Sequence, residues 1–238
     1  MTHAIPFFRN HLLATMTLQD LAILAPCLEP VELTLRTELE IPNAPTKYIY
    51  FPETTVCSII ATMSDDKDIE VGVIGRDGIV GVGIVHWDDR SPYRAMIQAA
   101  GKAHIMLAKD LLMAFTKSET LRPFLGRYAR AFTLQVASTA LANGRCSLED
   151  RLARWILMVH DRVDGNRLTL THEFLSVMLG VRRPGVTVAL HLLEGKGLIR
   201  SNRSEIVVHN REGLKLLASG AYGIAESEHL RLTGWSSR

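Results

Sequence analysis

Residues 171–208 read THEFLSVMLGVRRPGVTVALHLLEGKGLIRSNRSEIVV. Thr171 is a helix cap, His172 to Leu179 a short helix, and Gly180 the tight turn that stops it. A second helix follows from Arg182-Arg183 to Glu194, with Pro184 acceptable in its first turn. Phe174, Leu175, Met178, Leu179, Val181, Val186, Leu190 and Leu193 recur at spacings that lock two short helices together at a steep angle, as a helix-turn-helix requires. Gly195-Lys196-Gly197 ends the second helix. Leu198–Arg200 and Glu205–Val208 then read as two strands around the turn Ser201-Asn202-Arg203-Ser204, a wing.

Such a unit places cations and donors where a nucleic acid would lie. Arg182 and Arg183 start the second helix, the end that enters a major groove, where Arg pairs bidentately with guanine. Thr187 is one turn further on. Thr171 and His172 open the first helix, where backbone N–H groups and short donors meet phosphate. Arg200, Asn202 and Arg203 on the wing are placed to hold flanking backbone.

Upstream, Ser147-Leu148-Glu149-Asp150 opens a helix with the core stripe Leu152, Ala153, Ile156, Leu157 and Val159. Before it, a long helix over roughly 119–143 carries Tyr128, Phe132, Gln135 and Thr139 on one face. A second set, Phe124, Ala131, Leu134 and Leu141, widens its apolar surface. A helix apolar on two sides packs against two bodies, here its own front domain and the same helix of a second subunit. Tyr128, Phe132, Gln135 and Thr139 are the expected dimer contacts.

Residues 31–108 change character. Val31–Leu35, Tyr48–Phe51, Val56–Thr62, Ile69–Ile74, Ile79–Val85 and Ala95–Ala108 are short β-branched runs separated by turn formers, the pattern of an antiparallel barrel or sandwich. A capped helix from Thr17 precedes them. The expected fold is therefore α+β: an N-terminal antiparallel β-barrel of jelly-roll type in 1–118, a dimerisation helix in 119–143, and a winged helix-turn-helix with a C-terminal tail in 144–238.

Charge agrees in sign. Residues 144–211 hold 11 basic and 7 acidic side chains, a balance of +4, against 13 and 15, or −2, in residues 1–143. Cys27, Cys57 and Cys146 are too few and too scattered for a disulfide framework, a zinc site or a four-cysteine cluster, so no cofactor and no metal is expected. Neither a signal peptide nor a run of about 18 apolar residues is present, and a cytoplasmic location without membrane contact is expected. The histidines form no H-x-H pair, and no Ser/His/Asp neighbourhood or phosphate-binding glycine loop is visible. An enzyme is not expected. A cupin-like metal-dependent enzyme or metallosensor built on the barrel is the alternative, and it would need clustered His and carboxylate ligands.

With these residues in place, the chain resembles the Crp/Fnr family of bacterial transcription regulators over nearly its whole length. The resemblance rests on Glu149-Asp150-Arg151-Leu152-Ala153-Arg154-Trp155-Ile156-Leu157, on Leu179-Gly180-Val181-Arg182-Arg183 and on Leu192-Leu193-Glu194-Gly195-Lys196-Gly197-Leu198-Ile199. Gly75-Arg76-Asp77-Gly78-Ile79-Val80-Gly81 matches more loosely the family's barrel turn. It implies a cyclic-nucleotide-binding-like barrel, a homodimer on near-palindromic double-stranded DNA, and RNA polymerase as a further partner if the protein activates. The effector pocket implied by it falls at Val82, Tyr93 and Arg94. Val82 replaces the family's ribose-binding Glu, Tyr93 aligns with its phosphate-binding Arg, and Arg94 is one residue out of register on a strand, so cyclic AMP is not the expected effector. Any small effector is unidentified.

Overall fold

The computed structural model describes residues 7–63, 67–202, 204–218 and 220–238. Two short helices lead in, α1 (His11–Thr15) and α2 (Leu18–Leu24). Asn10 caps the first by accepting from the N–H groups of Leu12 and Leu13, and Thr17 caps the second by accepting from Asp20. Seven strands follow: β1 (Glu29–Leu33), β2 (Glu38–Glu40), β3 (Tyr48–Pro52), β4 (Val56–Thr62), β5 (Asp68–Ile74), β6 (Arg94–Ala99) and β7 (Gly101–Leu107). They form two antiparallel sheets, ordered β1-β7-β3 and β2-β6-β4-β5. Leu33, Tyr50, Cys57, Ile59, Ile74, Val80, Ala95, Ile97 and Ala103 fill the space between them. This is the double-sheet jelly roll that the spacing of the strand runs predicts.

Two strand expectations need correction. The 79–85 run contributes one bridge, Tyr50 to Val80, and then coils into a 3-10 turn over Val82–His86. The cause is local: Gly81 and Trp87, at the two ends of that turn, have φ values of 97° and 62°, outside the extended region. The 95–108 run is not one strand either. It breaks at Ala100, where the chain leaves the β2-β6-β4-β5 sheet and enters the other.

The helical half comprises α3 (Ala108–Lys117), α4 (Leu121–Arg145), α5 (Leu148–His160), α6 (His172–Leu179), α7 (Arg183–Gly195), α8 (Arg211–Leu217) and α9 (Ile224–Thr233). A third sheet, ordered β8-β10-β9, joins β8 (Arg167–Thr169), β9 (Ile199–Asn202) and β10 (Glu205–Val208). Ser147 and Asp150 form a reciprocal capping box that starts α5. Among the described residues no helix is long and apolar enough to cross a membrane.

Two of the four expected dimer contacts of the long helix, Tyr128 and Gln135, are turned inward within the single chain, while Phe132 and Thr139 are half-buried. Tyr128 is 1% exposed and donates its hydroxyl to the Ile79 carbonyl at 3.4 Å. Phe132 packs beside Gly72 and Gln135 is 5% exposed. The Gln135 amide accepts from Val73 N–H at 2.7 Å and donates to the Val73 carbonyl at 3.1 Å. Strand β5 is the edge of its sheet. The unpaired side of its backbone needs partners, and this one side chain satisfies both groups of Val73. Thr139 bonds back to the Gln135 carbonyl in its own helix.

The winged helix sits on the outer face of this same β2-β6-β4-β5 sheet. Val56, Ile60 and Val73 join Leu152, Ile156, Leu157, Met178 and Leu179 in one core, so β4 is buried on both faces. Within that seam the Trp155 indole N–H donates to Glu70 Oε1 at 2.6 Å, and Glu70 Oε2 has no partner. Burial pushes the Glu70 carboxyl up to about 7, against the opposing effects of the Ser58 and Trp155 hydrogen bonds and of Arg154. A carboxyl raised on folding stabilises the fold fully below the ordinary carboxylate range, and loses that contribution as pH climbs from there through about 7. Unfolding by denaturant should therefore show wild type losing stability between pH 5 and pH 8 relative to Glu70→Gln, by up to about 1.4 kcal/mol per pH unit. A difference between the two proteins that stays constant over that range contradicts the assignment.

Candidate nucleic-acid interface

The turn between α6 and α7 is held by Gly180, whose φ of 62° is left-handed. A Cβ there would also press on Ile69 of β5 at 3.0 Å. The Thr171 side chain accepts from Phe174 N–H at 3.1 Å and starts α6. Val186, Ala189, Leu190 and Leu193 bury one side of α7 against Leu175, Met178 and Leu179 of α6 and against α5. Pro184, Val188 and His191 lie on the opposite, exposed side, with Arg182 and Arg183 at its start.

His172 is the joint of this surface. Its Nε2 lies 3.4 Å from Ser201 Oγ on β9, and its Nδ1 lies 3.4 Å from Thr187 Oγ1 on α7. One imidazole at the start of α6 thus touches both the second helix and the wing. Burial lowers its pKa and the neighbouring Arg183 lowers it further, so the ring is neutral at neutral pH. The sequence pattern gives His172 a phosphate contact; its position between two elements makes it first a spacer. A second tie, not foreseen from the sequence, runs from Ser201 N–H to Glu194 Oε1 at 2.6 Å and anchors β9 to the end of α7.

The structure brings most of the expected residues together. Thr171, Arg182, Arg183, Arg200 and Asn202 are exposed and Thr187 is half-buried on one continuous surface of α6, α7 and β9. Arg203 lies outside the described residues. Among the described residues, the guanidinium groups of Arg182, Arg183 and Arg200 form no ion pair and no hydrogen bond, whereas Arg9, Arg76, Arg94, Arg162, Arg167 and Arg211 are each matched to a carboxylate. Val188 and His191 also belong to this surface and were missed in sequence. The signal for them was there: they alternate with Val186, Ala189, Leu190 and Leu193 at helical spacing and so face away from the core.

Val82 opens the 3-10 turn and Tyr93 is exposed. Arg94 lies on the strand face opposite Ala95 and Ile97, which fill the barrel. Its guanidinium is taken by Asp68 in a short contact and by Glu38 at 3.6 Å. Among the described residues, no three His, Cys, Asp or Glu side chains gather as a metal-binding group.

Residues 150–217 match the family model described as a Crp-like helix-turn-helix domain. A search of curated protein sequences returns no significant match. Among solved structures, FixK2 from Bradyrhizobium japonicum is similar with a TM-score of 0.70 at 18% identity, over 81% of this chain and 98% of that one. A putative transcriptional regulator of the Crp/Fnr family from Eubacterium rectale gives 0.67 at 14% identity, over 85% and 95%. A CRP-family transcriptional regulator from Thermus thermophilus gives 0.63 at 15%, over 81% and 98%. Residues 150–217 thus match a Crp-like helix-turn-helix domain, and the chain shares the fold of the solved Crp/Fnr regulators.

Proposed function

We propose that this chain is a homodimeric, sequence-specific DNA-binding transcription regulator. The observation that supports it best is the group of unpaired arginines, Arg182, Arg183 and Arg200, on the exposed surface of a helix-turn-helix and its wing. Folding gains little from three like charges left without partners on one surface, whereas a polyanion gains from each. Arg183, at the start of α7, reads a base edge. Arg200, Asn202 and Arg203 hold backbone along the wing, and Thr171 with the α6 N-terminus meets phosphate. A cyclic nucleotide in the barrel is not part of this proposal, because Val82 offers no acceptor to a ribose and Arg94 is already matched by two carboxylates.

The second copy is assigned to the outward side of α4. Arg130, Thr133, Ala137 and Leu141 share that side at helical spacing, and Leu141 is 59% exposed. Small residues there let a second helix approach closely, with Leu141 as the apolar anchor. Helix α9 covers the adjoining flank, where Arg127 donates to the Leu232 carbonyl at 3.2 Å and Arg130 lies close to Glu228.

Two measurements test this. In binding curves at several salt concentrations, on a preferred and a scrambled duplex, Arg183→Ala should lose about 1–3 kcal/mol on the preferred site alone. Arg203→Ala should weaken both duplexes alike and lower the salt slope by about one. An unchanged ratio of specific to non-specific affinity in Arg183→Ala contradicts the placement of α7. Light scattering should give a dimer for wild type and a monomer for Leu141→Arg, whose affinity for a full two-half-site duplex falls by roughly 100-fold or more as coupling between half-sites is lost. A dimer that survives Leu141→Arg sinks the proposed seam.

A further inference from the structure

The exposed side of α7 is unusual in being partly apolar. Val188 is 58% exposed and Leu192 45%, and neither belongs to the core beneath the helix. A β-branched residue in mid-helix is a poorer helix former than alanine, and an exposed one gains nothing from packing in return. Nothing in the folding of this domain accounts for Val188. Its position does: with Pro184 one turn before it and His191 one turn after, it lies on the ridge opposite Val186, Ala189, Leu190 and Leu193.

A helix placed in a major groove by Arg182 and Arg183 would press that ridge against base edges. Only one group displayed there by unmodified DNA is apolar, the C5-methyl of thymine. Apart from the small C5–H of cytosine, every other edge group is a hydrogen-bond donor or acceptor, which a valine side chain would desolvate without replacing its bond. From these observations we infer that Val188 is a specificity-determining residue that recognises a thymine methyl. The inference rests on the DNA-binding reading above and adds a base to it. Arg183 and Val188 are five residues apart, or about 7.5 Å along the helix axis, against a rise of about 3.4 Å per base pair. Each half-site should therefore contain a guanine read by Arg183 and, within about two base pairs of it, a thymine read by Val188.

The test uses the full chain and a duplex it prefers to a scrambled control. Each thymine of the half-site is replaced in turn, symmetrically, by deoxyuridine, which removes the methyl and leaves the hydrogen-bonding edge intact. Wild type should lose affinity by roughly fourfold per half-site at one position, the effect of exposing one methyl group. Val188→Ala should bind the thymine and deoxyuridine duplexes equally, with an unchanged or higher melting temperature, and Val188→Ile should keep the discrimination. Cytosine followed by 5-methylcytosine at that same position should restore part of what the thymine provides in wild type and nothing in Val188→Ala. Tolerance of deoxyuridine at every position by wild type, or an equal penalty in Val188→Ala, overturns the inference while leaving sequence-specific binding intact. A chain that prefers no duplex over the scrambled control overturns the DNA-binding reading and this inference with it.

Discussion

The architecture turns on one buried ion pair. Arg162, just beyond the end of α5, meets Asp77 in the Gly75–Gly78 turn of the barrel through two bonds, Nε to Oδ1 at 2.9 Å and Nη2 to Oδ2 at 2.6 Å. The two residues are 3% and 1% exposed. Burial pushes the Asp77 carboxyl up, and Arg162 and His229 beside it outweigh that and bring its pKa below the usual carboxylate range. Further hydrogen bonds support the pair, since Gly75 N–H donates to Asp77 and Arg162 donates to the Met158 carbonyl at 2.7 Å. A pair so completed tolerates its own desolvation, but a lone member left behind would cost about 3–5 kcal/mol. The pair joins the barrel turn to the helix that carries the winged helix. The C-terminal segment then closes over it, with the Trp235 ring 5.3 Å from the Arg162 guanidinium and 4.9 Å from the His229 ring.

That joint explains why β4 is apolar on both faces. Cys57 and Ile59 face the barrel interior, while Val56 and Ile60 face α5 and α6. The continuous apolar run at 56–60 is legible in the sequence, and so are the capping box at Ser147, the glycine turn at 180 and the two-helix spacing of the winged helix. These features are local: a cap, a turn and a periodicity act within a few residues. The side of α4 that meets the barrel was not legible. Tyr128, Phe132, Gln135 and Thr139 recur at a spacing that fits any partner, and only the free edge of β5 decides that the partner is Val73. The packing of α9 on α4 and the closure by Trp235 were equally hidden, because they depend on where distant segments meet.

Within the candidate interface, legibility followed the same division. Arg182, Arg183, Thr187 and Arg200 were readable from their positions on the two helices and the wing. His172 was found, but its contacts to Thr187 and Ser201 were not, since they depend on how the wing folds back. Its neutrality suits a spacer between elements, because a protonated ring there would face Arg183. The result is a scaffold whose buried arginines, Arg154 and Arg162, are met by carbonyls and a carboxylate, and an α7–β9 surface on which Arg182, Arg183 and Arg200 are left unmatched.

Whether this surface reads a DNA sequence is decided by selecting duplexes from a random pool with the purified full chain and sequencing them over successive rounds. Enrichment of a near-palindromic site is expected, with half-sites about 34 Å apart centre to centre, or a multiple of that. A pool that remains random while the protein still retains DNA by charge alone would contradict it.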